Sequence, residues 1–84
     1  MAATSLLELD IKKILGKAEE LAGIKLPRRV LELTLEPELE LLCIRYKRPK
    51  EGEVGEPMHP QIHILREIGT GEITAVEIFN PEKL

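Results

Sequence analysis

Aromatic side chains are nearly missing from this chain of 84 residues, which has one Tyr, one Phe and no Trp. Recognition of nucleic-acid bases by stacking needs several such rings, so that mode has almost nothing to work with. Cysteine is as scarce. The single Cys43 excludes an internal disulfide and suits a reducing compartment, so a cytoplasmic protein is expected. No apolar run approaches the roughly 20 residues that span a bilayer. Acids and bases start at Glu8, inside what would be the apolar region of a signal peptide, so none is expected. Asn and Gln occur once each, and Asp once against fourteen Glu. Few amides combined with abundant Glu, Lys and Arg is a composition found in thermophile proteins. The net charge of −3 gives no general attraction to nucleic acid or to an anionic membrane.

What is present is alternation. Segments 30–36, 39–46, 62–68 and 73–80 alternate apolar and polar residues, the period of a half-buried strand. One stretch, 5–22, has helical spacing instead: Leu7, Ile11, Ile14, Leu15, Ala18, Leu21 and Ala22 form a stripe. Ser5 and Glu8 fit a capping box at its start, Gly23 supplies a left-handed stop, and Pro27 forbids continuation. Glu36-Pro37-Glu38-Leu39 reads as a tight turn, and Gly69-Thr70-Gly71 as another. Residues 47–60 are dense in Pro, Gly and Glu without periodicity and read as a long loop, the expected variable contact surface. The expected fold is α+β, one domain over 1–84: an N-terminal amphipathic helix followed by a four-stranded antiparallel meander.

Strand parity then sorts the side chains. One face collects Leu31, Leu33, Leu35, Leu42, Ile44, Tyr46, Ile62, Ile64, Val76 and Ile78, about as much as one helix can cover. The other face still carries Leu41, Cys43, Leu65, Ile73 and Phe79. A chain this short buries only about 60–65% of its unfolded surface, and no further element is available as a second cover. The expectation is a homodimer, joined through the second face or by exchanged helices, with those five residues as the interface. The protein is read as a non-enzymatic interaction module.

The segment Leu35-Glu36-Pro37-Glu38-Leu39-Glu40-Leu41-Leu42-Cys43-Ile44-Arg45 resembles the signature of a family of small prokaryotic proteins, the domain of unknown function 2283. That pattern runs Tyr-Asp-Pro-Glu-Ala-Asp-Ala-Leu-Tyr-Ile-Arg. Pro37, Glu38, Leu42, Ile44 and Arg45 match it, and Gly71, Ile73, Val76, Glu77 and Ile78 match the family's closing glycine turn and strand. The resemblance spans about residues 30–82. The Asp-x-Asp pair that often precedes the family's glycine turn is replaced here by Arg66 and Ile68. The resemblance implies a small β-meander without assigned activity. Relatives that accompany small toxin-like proteins make an antitoxin-like partner role a second reading.

Residues that could carry chemistry are few. Cys43, His59 and His63 are the soft metal ligands, but two histidines four apart on a strand are about 13 Å apart, too far for one ion. Cys43 alternates with leucines, which is a setting for a small buried hydrophobe and not for a thiolate. The only serine is the cap Ser5. Glu36, Glu40 and His63 would serve an enzyme or ligand binder if a pocket lay between sheet and loop, and Glu51 with Glu53 is another carboxylate pair. There is no glycine-rich phosphate loop, and no catalytic residue, cofactor or metal is expected. Two basic clusters, Arg28-Arg29 and Arg45-Tyr46-Lys47-Arg48-Pro49-Lys50, support a weak nucleic-acid binder acting through Arg28, Arg29, Arg45, Lys47 and Arg48.

Overall fold

A computed structural model of the chain describes residues 5–84; the first residues of the segment read for a signal pattern lie outside it. The architecture is α+β, with one N-terminal helix on a single antiparallel sheet. The helix, α1, spans Ile11–Ala22, six residues later than the Ser5 start. Ser5 does accept a hydrogen bond from the Leu7 amide, but it caps only a single 3-10 turn, Leu6–Glu8. Leu9 then turns extended, with φ −106° and ψ 139°, and breaks the run. The α-helix proper is capped by the one aspartate: Asp10 accepts from the Lys13 amide at 3.2 Å. Gly23 ends it at φ 72°, as the stop signal required.

Among the described residues the sheet has five strands, not four: β1 Glu32–Glu36, β2 Leu41–Arg45, β3 Glu53–His59, β4 Ile62–Glu67 and β5 Ile73–Phe79. The extra strand, β3, lies inside the segment read as a loop. It is an edge strand, mostly exposed, and so needs no hydrophobic alternation. Pro57 is tolerated there, beside a register shift between Pro57 and His59. The spatial order is β1-β2-β5-β4-β3, so the sheet is not a meander. The last strand in sequence enters between β2 and β4, pairing Leu42 with Ile78 on one side and Ile78 with Ile62 on the other. Pro37–Leu39 forms a 3-10 turn in place of the first tight turn, and Glu40 follows in a left-handed conformation at φ 50°. Its carbonyl accepts from the Asn80 amide at 2.7 Å.

One face of this sheet is the core. Leu42, Ile44, Ile62, Ile64, Val76 and Ile78 are fully buried under Ile14, Ala18, Ala22 and Leu26. Leu33 and Leu35 pack against this cluster from the edge, but Leu31 lies outside β1 and is exposed. Each fully buried aliphatic side chain contributes about 1.5–3 kcal/mol, so this layer supplies most of the hydrophobic stabilisation. Glu19 ties the helix to the segment that follows it, accepting from the Leu26 amide at 2.7 Å.

Candidate functional site

The face of the sheet away from α1 follows from strand register. Its central row runs Thr34, Cys43, Glu77, His63 and Pro57 across β1, β2, β5, β4 and β3. Beside it, on one side, Glu36, Leu41 and Phe79 lie abreast. On the other side are Glu32, Arg45, Ala75, Leu65 and Gly55. Of the five residues expected at an interface, Leu41, Cys43, Leu65 and Phe79 share this face and are each half-buried. Ile73 does not. The register shifts between Leu65, opposite Ala75, and Arg66, opposite Ile73, and one extra residue inverts the parity of all that precedes it on β5. Ile73 therefore packs against the core cluster.

The shift has a second effect. It buries Thr74 completely, and the Thr74 hydroxyl reaches a carboxylate oxygen of Glu53. Glu53 is held by Arg45 through two parallel contacts, 3.2 and 2.9 Å, an arrangement suited to the planar guanidinium. The Arg45 hydrogen bonds hold the Glu53 carboxyl below its ordinary range. Next to it lies a second clamp. Lys47 Nζ donates to Glu67 at 2.9 Å and to Glu72, and the Lys50 amide donates to Glu67 at 2.7 Å. Glu67 is only 4% exposed, and the Lys47 contact, followed by backbone amides, pushes its carboxyl down to about 2. The first half of the segment expected to be a variable loop is thus pinned, and the second half is β3.

Most of the cations read as a nucleic-acid surface have a carboxylate within ion-pair distance. Arg28 faces Glu19 at 3.5 Å, Arg45 faces Glu53, Lys47 faces Glu67 and Glu72, and Arg48 faces Glu32 at 3.4 Å. Among the described residues only Arg29 of the five has no carboxylate within ion-pair distance.

The other candidates for chemistry are not brought together. His59 Nδ1 accepts from the Gln61 amide at 3.1 Å. His63 sits on the open face, its ring edge-on to Phe79 at 5.0 Å and 66°. Glu36, on β1, is three strand spacings of about 4.8 Å from β4, which carries His63. Burial raises the Cys43 thiol above its ordinary value, and Glu77 adds to this, which disfavours a thiolate. No three His, Cys, Asp or Glu residues gather at metal-binding distance among the described residues. A half-open groove of about 670 Å³ lies between α1 and the C-terminal turn, bordered by Leu9, Ile14, Pro81 and Leu84, not between sheet and loop. No helix of the described residues is long and apolar enough to cross a membrane.

Glu77 and His63 are the site residues that a count of apolar positions passes over. Strand parity places both at the centre of the open face, and they stand opposite each other on β5 and β4. No family model matches the chain, and no curated protein or solved structure does either.

Proposed function

We propose that the chain is a non-enzymatic, self-associating module of the cytoplasm, two copies meeting through the sheet faces that their own helices leave uncovered. The observation that carries the reading is the pairing of α1 with one face only, while Leu41, Cys43, Leu65 and Phe79 remain half-buried on the other with no described element above them. A second copy is the fitting cover because the face is complementary to itself. A two-fold axis near its centre sets His63 of each copy against Glu77 of the other, and the apolar rows on either side then meet. A purely apolar partner would offer no hydrogen-bond donor to the Glu77 carboxylate from across the interface, and burying a polar group without such a partner is costly. Arg45 and Glu53 already neutralise each other at the margin and form a polar rim.

The test is molar mass in solution, by sedimentation or light scattering over a concentration series. Twice the chain mass is expected. Phe79→Glu should give the single-chain mass, because it sets a new charge beside Glu77. Leu7→Glu, on a side chain 97% exposed and away from the sheet, should leave the dimer intact. A single-chain mass for the unaltered protein, or an unchanged dimer in Phe79→Glu, overturns the proposal.

A further inference from the structure

The two outer edges of the sheet are not alike. β3 is guarded by Pro57 and by the register shift beside it, both of which interrupt pairing with a further strand. β1 carries neither. It is a regular five-residue strand, Glu32-Leu33-Thr34-Leu35-Glu36, paired on one side with β2 and, among the described residues, with no strand on the other.

The free side can be assigned by residue. The Asn80 amide donates to the Glu40 carbonyl and the Tyr46 amide to the Thr74 carbonyl, so even-numbered residues of β2 bond toward β5. Antiparallel strands alternate, and Leu41, Cys43 and Arg45 must therefore bond toward β1: Leu41 and Cys43 face Glu36 and Thr34, and the Arg45 carbonyl accepts from the Leu31 amide at 2.8 Å. Leu33 and Leu35 are left with their amides and carbonyls pointing outward. The ends of the strand are greasy as well. Among the described residues, three of the six large exposed apolar side chains, Val30, Leu31 and Leu39, flank it. Its open-face side chains, Glu32 and Glu36, are exposed acids. Glu36 has no cation within ion-pair distance among the described residues, and Glu32 has only the exposed Arg48 at 3.4 Å.

We infer that β1 is a docking edge for an extended segment of another protein, added antiparallel as a sixth strand, in which basic and apolar residues alternate as basic–apolar–polar–apolar–basic. The apolar pair would extend the Leu33 and Leu35 layer over the core. The basic residues, four apart, would stand opposite Glu32 and Glu36, where cross-strand pairs come closest. A second copy of β1 has the right alternation and the wrong charge. The two-fold register that satisfies all four outward groups, centred on Thr34, sets Glu32 against Glu36 twice, and like charges directly opposite are destabilising. The edge is therefore closed to its own copy and open to a cationic strand. The outward backbone groups of Leu33 and Leu35 lie in the plane of the sheet, while Glu32 and Glu36 border the open face, so docking uses groups that a face-to-face dimer leaves at its margin.

The probe is a capped synthetic nonapeptide with Lys-Val-Thr-Val-Lys at its centre, and the control replaces both lysines by glutamate. Amide hydrogen exchange read by NMR reports the contact directly. At saturating lysine peptide, the Leu33 and Leu35 amides should slow by about tenfold or more, with amides elsewhere unchanged. The glutamate peptide should bind about tenfold more weakly, and the double variant Glu32→Lys with Glu36→Lys should reverse that preference. A thermal melt of the variant checks that the fold persists. Three results overturn the inference: no slowing at Leu33 and Leu35 with millimolar peptide, equal binding of both peptides, or slowing of those amides with protein concentration alone.

Discussion

Glu67 shows how a single carboxyl organises its surroundings. It lies 4% exposed at the end of β4, and it receives Lys47 and the Lys50 amide together. Its carboxyl falls from an ordinary 4.5 to about 2, so the charged form is favoured by folding. Linkage fixes the sign: the contribution is fully present above pH 4.5 and is lost as the pH falls toward 2. Glu67→Gln should melt at a lower temperature than the unaltered protein at neutral pH. The gap between the two should narrow through that acid window and close near its lower end, a course that thermal melts at stepped pH will follow. Tyr46 is the opposite case. Its ring is 7% exposed and its hydroxyl finds no hydrogen-bond partner among the described residues. Burial raises the phenol well above its ordinary value, with the Glu19 charge adding to it. A buried hydroxyl without a partner carries its desolvation cost uncompensated. Tyr46→Phe should therefore stabilise the fold by about 1 kcal/mol in urea unfolding.

Single elements explain why some of the structure is legible in the sequence and some is not. β1, β2, β4 and β5 face the core on one side, so burial writes alternation into them, and all four are legible from period alone. β3 buries almost nothing, and its Gly55 and Pro57 are residues that read as loop. Leu41, Cys43, Leu65 and Phe79 share a face by parity and can be assigned without coordinates. Ile73 cannot, because the one-residue shift at Thr74, where the hydroxyl meets Glu53 and the Leu65 carbonyl, leaves no mark in the local alternation. The helix start is a contest between two caps. Ser5 wins only a 3-10 turn and Asp10 takes the helix. Asp10→Ala should cost about 1 kcal/mol, and Ser5→Ala clearly less, in the same unfolding measurement. Gly16 sits inside α1 with nothing within 4 Å of where a side chain would begin. Gly16→Ala should stabilise by about 1 kcal/mol, since it gains helix propensity without a clash.

At the scale of the whole molecule, the sheet order matters more than the strand count. A meander would join neighbours in sequence, but here β2 is completed by β5, setting residues 41–45 beside residues 75–79. The β4–β5 and β3–β4 pairs are local and can form early, while the β2–β5 seam must close a long stretch of chain. The helix crosses β3 and β4, so the earliest part of the sequence covers strands made later. Amides along β2, β4 and β5 should be the slowest to exchange in native-state hydrogen exchange and should open together. Those of β1 and β3 should open at lower free energy, as sheet edges do.

The seam between β2 and β5 also bears on how the protein is made. On a ribosome that synthesises from the N-terminus, Leu41–Arg45 emerges well before Ile73–Phe79. Until that last strand arrives, β2 presents an apolar side with its hydrogen-bonding groups unclaimed, which is the condition under which nascent chains associate wrongly. Its mature neighbour cannot protect it in that interval, and rapid synthesis of the final dozen residues would shorten the exposure.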